Sequence, residues 1–268
     1  DNQVFYRRWD PDTTPRANLC IIHGFGEHCL RYAHVAAFFC KAGIAVHAID
    51  LPGHGRNPGP RGYMSADIQR VNQHIRLLVE TAGDAVPRFL LGHSMGGMFA
   101  LNSRSEQAKP AVRGVIASAP LIRSPTVPSG VVLSAARLFG AVHDSMGIDI
   151  PIDAAALSSI PEVQRAAAPD IDPLQHRSAC FRGITQAVDV CENLLSTQAK
   201  AFDDRLLIVH GTADHVVDFA GSEEFVKLAG CEDKELKSYE GGLHEMFNDV
   251  DRDKVLGDVL AWVQARLD

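Results

Sequence analysis

The sequence predicts an α/β fold, a mostly parallel central sheet flanked by helices with a helical segment inserted into it. Three observations carry this. Short apolar runs alternate with amphipathic helical stretches through the first half of the chain and again near its end. Each run is continuously apolar rather than alternating, as for strands covered on both faces. Between Ala119 and Asp203 the rhythm stops. No convincing strand is expected there, and residues 120–203 read as a helical cap on a core made of 1–119 and 204–268.

In order, Val4 to Trp9 is a short β-like run ended by Asp10-Pro11-Asp12. Asn18 to His23 is a buried strand that opens into the glycine-punctuated loop Gly24-Phe25-Gly26-Glu27-His28. Arg31 to Ala42 has helical periodicity and stops at Gly43, before the strand Ile44 to Asp50. Asp50-Leu51-Pro52-Gly53-His54-Gly55 is better read as a shaped turn than as chemistry. Ala66 to Thr81 places Ile68, Val71, Ile75, Leu78 and Val79 on one helical face. Arg88 to Leu91 and Arg113 to Ser118 are strands around a helix from Met95 to Glu106. In the insertion, prolines 120, 125 and 128 precede an apolar helical stretch, Val131 to Met146. A Pro/Asp-rich linker follows, then an amphipathic helix with Cys180, Ile184, Ala187, Val188, Cys191, Leu194 and Leu195 on one face. The strands Arg205 to His210 and Leu236 to Tyr239, with helices Ser222 to Leu228 and Asp253 to Leu267, close the chain.

Composition narrows the function. The 268 residues are 46% hydrophobic and carry a net charge of -7, so a large core is affordable and a clustered basic face for nucleic acid is not expected. Six cysteines without C-x-x-C spacing are expected to be free thiols of a reducing, cytoplasmic compartment. Cys180 and Cys191 fall on one expected helix, too far apart to bridge each other. Twelve histidines show no H-E-x-x-H or paired ligand spacing, so neither metal nor cofactor is expected. No run reaches transmembrane length. The chain begins at Asp1 without Met or a signal-peptide pattern, and a targeting segment removed ahead of it is compatible with that start.

The chemistry starts at Gly92-His93-Ser94-Met95-Gly96, a G-x-S-x-G pattern between strand and helix. Such an elbow strains the backbone of its serine and presents the hydroxyl at a helix N-terminus. Alone the pattern is weak, and its context decides. Asp214 follows the strand ending at His210, and His244 follows the strand ending at Tyr239. The order Ser94, Asp214, His244 is that of α/β-hydrolases. Ser94 is then the nucleophile, His244 the base that takes its proton, and Asp214 the carboxylate that holds the imidazole tautomer. His210, His215, Asp218 and Asp249 compete by proximity but sit inside or past an element. His210 is read as a strand-end core histidine and His93 as structural. The backbone N–H groups of Phe25 and Met95 are the expected oxyanion donors.

With these residues in place, the chain resembles the monoacylglycerol lipase family of α/β-hydrolases, lysophospholipase-like serine hydrolases. The resemblance covers nearly the whole chain. It is carried by His23-Gly24-Phe25-Gly26-Glu27-His28-x-x-Arg31-Tyr32, Asp50-x-x-Gly53-His54-Gly55, Gly92-His93-Ser94-Met95-Gly96-Gly97, Gly211-x-x-Asp214 and Tyr239-Glu240-Gly241-x-x-His244-Glu245. It implies the α/β-hydrolase fold and hydrolysis of a monoacylglycerol or similar single-chain lipid ester to fatty acid and glycerol. It also implies a cap that makes peripheral membrane contact and admits lipid to an apolar tunnel. A small glycerol pocket near the Gly-Glu-His loop makes Glu27 and Arg31 candidates for substrate binding. The acyl chain is expected along Val131 to Val142 and Ile184 to Leu195, with Ile184 and Val188 as contacts. The rival readings are a lysophospholipase, a broad carboxylesterase, a non-catalytic lipid-binding protein and, by fold analogy, a peptidase with a carboxylate cluster among Asp149, Asp153, Asp170 and Asp172.

Overall fold

The computed structural model describes residues 4–62, 68–106, 109–123, 130–143 and 146–268. Seven strands form one sheet: β1 (Tyr6–Trp9), β2 (Ala17–Ile22), β3 (Ile44–Ile49), β4 (Arg88–His93), β5 (Gly114–Ser118), β8 (Leu206–Gly211) and β9 (Lys234–Tyr239). Their order across the sheet is β1-β3-β2-β4-β5-β8-β9, and only β1 runs antiparallel to its neighbour. β1 is an edge strand with half-exposed residues, whereas every residue of β2, β3, β5 and β8 is buried.

The apolar strands split residue by residue between two cores, because successive side chains point to opposite faces. On β2 and β4, Leu19, Ile21, Phe89 and Leu91 face one layer with Val35 and Phe39 of α1 (Ala33–Lys41) and Trp262 of α10 (Arg252–Gln264). Cys20, Ile22 and Leu90 face the other layer with α2 (Ile68–Thr81) and α3 (Met95–Asn102). The predicted face of α2 is buried at Val71, Ile75, Leu78 and Val79. Ala66 and Asp67, the expected start of that helix, lie outside the described residues. α9 (Phe219–Leu228) adds Phe225 to the second core.

Between β5 and β8 the chain leaves the sheet. It forms α4 (Gly130–Val142), α5 (Ala154–Leu157), α6 (Pro161–Ala166) and α7 (Phe181–Asn193). α7 continues as a π-helical turn, Leu194–Gln198, into α8 (Ala199–Ala201). One expectation is corrected here. The insertion holds two strands, β6 (Gly147–Asp149) and β7 (Ser178–Cys180), paired antiparallel with Gly147 opposite Cys180. Three-residue strands are too short for any periodicity to register. Gly147 is needed at the pairing, since a Cβ there would lie 2.2 Å from the Ala179 carbonyl oxygen. Cys180 therefore ends a strand and does not share the helix with Cys191. Its Sγ accepts from Gly183 N at 3.2 Å and caps α7. Pro125 and Pro128, and the side chains of Val131, Val132 and Val142, lie outside the described residues. All six cysteines are free thiols. Among the described residues no helix is long and apolar enough to cross a membrane.

Candidate active site

β4 ends at His93, and Ser94 follows with φ 53° and ψ -118°, a left-handed conformation unusual for a residue with a Cβ. The glycines around it are demanded by crowding. A Cβ on Gly92 would lie 2.2 Å from Gly96 O, and one on Gly96 would lie 2.3 Å from Ile22 O. Three backbone hydrogen bonds hold the turn. Ser94 N donates to Ser118 O at 2.9 Å, while Met98 N and Leu121 N donate to Ser94 O, each at 3.0 Å. The sharp apex thus stands at the N-terminus of α3, over the C-terminal ends of the parallel strands, where sites in open α/β sheets form.

Two loops from the neighbouring strands meet beside it. Ala213 N donates to Gly242 O at 3.0 Å, and a Cβ on Gly211 would sit 2.2 Å from that same oxygen. This close approach brings His244 to Asp214, with Nδ1–H donating to Oδ2 at 2.7 Å. The bond fixes the tautomer and leaves Nε2 without a proton. Asp214 accepts three further N–H groups: Val216 N at 2.8 Å and Val217 N at 2.9 Å on Oδ1, and His210 Nε2 at 3.1 Å on Oδ2. Burial opposes ionisation of Asp214, but the hydrogen bonds from His210 and His244 outweigh it and hold the carboxyl well below its usual range. The ring of His93 lies 4.9 Å from that of His244, which places the elbow against the imidazole. Burial, and then the neighbouring His244, lower His93 to about 4, so it stays neutral and donates Nδ1–H to Ser118 O at 3.1 Å. Ser94 Oγ makes no hydrogen bond among the described contacts.

Across from this pair lies the loop after β2. Neither Phe25 N–H nor Met95 N–H is donated to a protein acceptor among the described residues. The Phe25 ring stands edge-on to His54 and His176, with centroids 6.0 and 5.6 Å away. Gly26, at φ 73°, accepts His176 N at 2.9 Å, and a Cβ there would meet His176 O at 2.2 Å. The insertion thereby grips the loop.

The two polar candidates for substrate binding, Glu27 and Arg31, are both held by protein partners. Glu27 is 5% exposed, and its carboxylate accepts Gly24 N at 2.6 Å, the Tyr32 hydroxyl at 2.8 Å and Arg31 at 2.7 Å. Arg31 in turn spans to Glu245 at 2.8 and 2.9 Å. These groups satisfy one another in a buried network. Ile184 is half-buried and Val188 is buried on α7. Asp50 shapes its turn, as expected: Oδ1 accepts Cys29 N at 2.8 Å and Oδ2 accepts Arg56 N at 2.7 Å. Sequence reasoning missed two residues. His210, read as core, shares Asp214 with His244 and is steadied by Ser222 Oγ at 2.8 Å from Nδ1. Glu245 enters the sequence reading only as a motif neighbour of His244. Its place beside His244 was the available signal. Among the described residues no group of His, Cys, Asp or Glu is arranged to hold a metal ion.

A strained serine at a strand-to-helix turn, with a hydrogen-bonded His–Asp pair from two later strand-end loops of a mostly parallel seven-stranded sheet, defines the α/β-hydrolase class of serine hydrolases. Within that class the chain belongs to the family described as "Serine aminopeptidase, S33", which matches residues 13–251. It is 35% identical to the monoacylglycerol lipase of Mycolicibacterium smegmatis, over 99% of this chain and 94% of that one. Among solved structures, the monoacylglycerol lipase of Paleococcus ferrophilus superposes with a TM-score of 0.89 at 25% identity, covering 98% of this chain and 99% of that one. A soluble variant of monoglyceride lipase from Saccharomyces cerevisiae, in complex with a substrate analog, gives a TM-score of 0.89 at 26% identity, covering 99% and 92%.

Proposed function

We propose that this chain hydrolyses the ester bond of monoacylglycerols to fatty acid and glycerol through an acyl-enzyme. The observation that carries the reading is the His244–Asp214 pair, its Nε2 left free, beside the strained Ser94. In the mechanism, Ser94 Oγ attacks the ester carbonyl while His244 Nε2 takes its proton. The tetrahedral oxyanion accepts hydrogen bonds from Phe25 N–H and Met95 N–H. Collapse breaks the bond to glycerol, which leaves with the proton from His244. A water then gives its proton to His244 and attacks the acyl carbon, and Ser94 leaves reprotonated. The names of the relatives supply the substrate class.

We read residues 120–203 as the cap and assign the acyl chain to the apolar side of α7 around Ile184 and Val188. The exposed apolar side chains Leu138, Ile148 and Ile171 of the same insertion support peripheral contact with a lipid surface. Vesicle co-sedimentation of the wild type and of Leu138→Ser/Ile148→Ser/Ile171→Ser tests that contact, and equal binding by both would refute it.

The family description favours one other reading, an aminopeptidase. Three of the insertion's four candidate carboxylates are already engaged. Asp149 accepts Ser178 Oγ at 2.6 Å, Asp153 caps Ala155 N at 3.0 Å, and Asp172 meets His28 at 2.7 Å. Rates on 1- and 2-monoacylglycerol, lysophosphatidylcholine and an aminoacyl anilide, for wild type and Ser94→Ala, test the proposal. It requires the highest rate on monoacylglycerol and loss of roughly 10⁴-fold or more in Ser94→Ala. Equal rates in both proteins would refute the mechanism. Absence of a fluorophosphonate adduct on Ser94 would favour a binding protein instead.

A further inference from the structure

The donors expected at the oxyanion and the base expected at the nucleophile come from loops far apart in sequence. One buried side chain joins them. Arg31 donates to Glu27 Oε2 at 2.7 Å on one side. On the other it forms a two-pronged pair with Glu245, at 2.9 Å to Oε1 and 2.8 Å to Oε2. The side chains of Arg31, Glu27 and Glu245 are only 12%, 6% and 5% exposed.

Each carboxylate is attached directly to the chemistry. Glu27 Oε1 accepts Gly24 N at 2.6 Å, which fixes the residue preceding the Phe25 N–H. Gly24 permits this approach, because a Cβ there would already stand 3.0 Å from that oxygen. Glu245 is the residue after His244, and its Oε2 also accepts Asn248 Nδ2 at 2.9 Å. A single guanidinium plane therefore sets the Gly24-Phe25 loop against the His244 loop. Two buried carboxylates need that cation, since either alone would be costly. Burial by itself would raise the Glu27 carboxyl, and Arg31, together with His93, His23 and the Gly24 N–H, more than offsets it and holds Glu27 ionised.

We propose that Arg31 is a positioning residue that couples the oxyanion-hole loop to the His244 loop through Glu27 and Glu245. The inference rests on the hydrolase reading above and assigns these residues to alignment of the machinery rather than to glycerol. A lysine keeps the charge but lacks the planar two-pronged geometry, so charge and geometry separate in the test. The variants are Arg31→Lys, Arg31→Met and the charge-free triple Glu27→Gln/Arg31→Met/Glu245→Gln. The readouts are kcat and KM on a soluble monoacyl ester, the rate of fluorophosphonate labelling, and the thermal midpoint.

Arg31→Lys is expected to lose roughly tenfold in kcat, and Arg31→Met about 100-fold, with KM within about twofold, by comparison with loss of one oxyanion donor. Labelling should slow in parallel. The triple variant should recover the thermal midpoint lost in Arg31→Met yet keep the low kcat. Recovery of wild-type kcat together with the midpoint would overturn the proposal, since the residues would then serve folding alone. Wild-type kcat in Arg31→Lys would also overturn it. Ser94→Ala, run alongside, reports on the hydrolase reading separately: full activity there refutes that reading whatever the Arg31 variants do.

Discussion

Ser94 occupies a backbone region that costs a residue with a side chain on the order of 1–3 kcal/mol, and the surrounding glycines keep that cost from growing. Gly96 makes the closest case. A methyl group there would meet two backbone oxygens, Ile22 O at 2.3 Å and His23 O at 2.4 Å, neither of which can move without shifting β2. Gly96→Ala is therefore expected to destabilise the fold by roughly 3 kcal/mol or more, read from the denaturant midpoint. Asp214 offers a second prediction. His210 Nε2–H is one of four N–H donors to its carboxylate. His210→Leu removes that donor and makes Asp214 more basic, which stabilises the His244 imidazolium. The acid limb of the kcat/KM profile should move to higher pH. A profile that superimposes on wild type would show that His210 only fills space.

At the scale of elements, the insertion is tied to the His244 loop at defined points. Asp249 Oδ1 accepts Ser158 Oγ at 3.1 Å, Ser159 N at 2.9 Å and Ser159 Oγ at 2.6 Å, and Glu245 N donates to Leu157 O at 2.8 Å. Asp249→Ala should release the turn between α5 and α6, costing about 1–3 kcal/mol locally. Limited proteolysis should then cut near Ser158 faster while β2 to β5 stay protected. The same elements show what a sequence discloses. β2, β3, β4, β5 and β8 were legible because each is buried on both faces and written in apolar residues. Ser94, Asp214 and His244 were legible because each lies in the turn or loop that follows a strand. β6 and β7 were not, being three residues long and stabilised by pairing with each other across the insertion. The Arg31–Glu245 pair was not legible either. It spans 214 positions, and nothing local marks which charged side chains will turn inward.

Over the whole molecule, buried histidines dominate the response to acid. Burial is the first cause lowering His23, His47, His54, His74, His93 and His176 beneath the ordinary value of 6.5, with His47, His93 and His176 brought to about 4. The unfolded chain therefore binds protons first as pH falls. Stability is fully present above the unfolded value and is lost as pH drops through 6.5 toward 4. Asp214, depressed instead below the carboxylate range, keeps its contribution through that window and loses it only at stronger acidity. A thermal midpoint at pH 5 lower than that at pH 7.5 by roughly 5 °C or more is expected, and an unchanged midpoint would contradict the neutral, buried state of these rings.

The insertion leaves the sheet after β5 and returns at β8, and these two strands are hydrogen-bonded neighbours, with Val115 opposite Leu206 and Ser118 opposite Val209. To the sheet, everything between is one closed loop. Doubling the length of such a loop adds only about 0.6 kcal/mol of closure entropy. Closure entropy therefore places little limit on the length of what fills this gap. A change of length within the insertion, away from the contacts that hold it to the Phe25 and His244 loops, should therefore leave the stability of the sheet nearly unchanged.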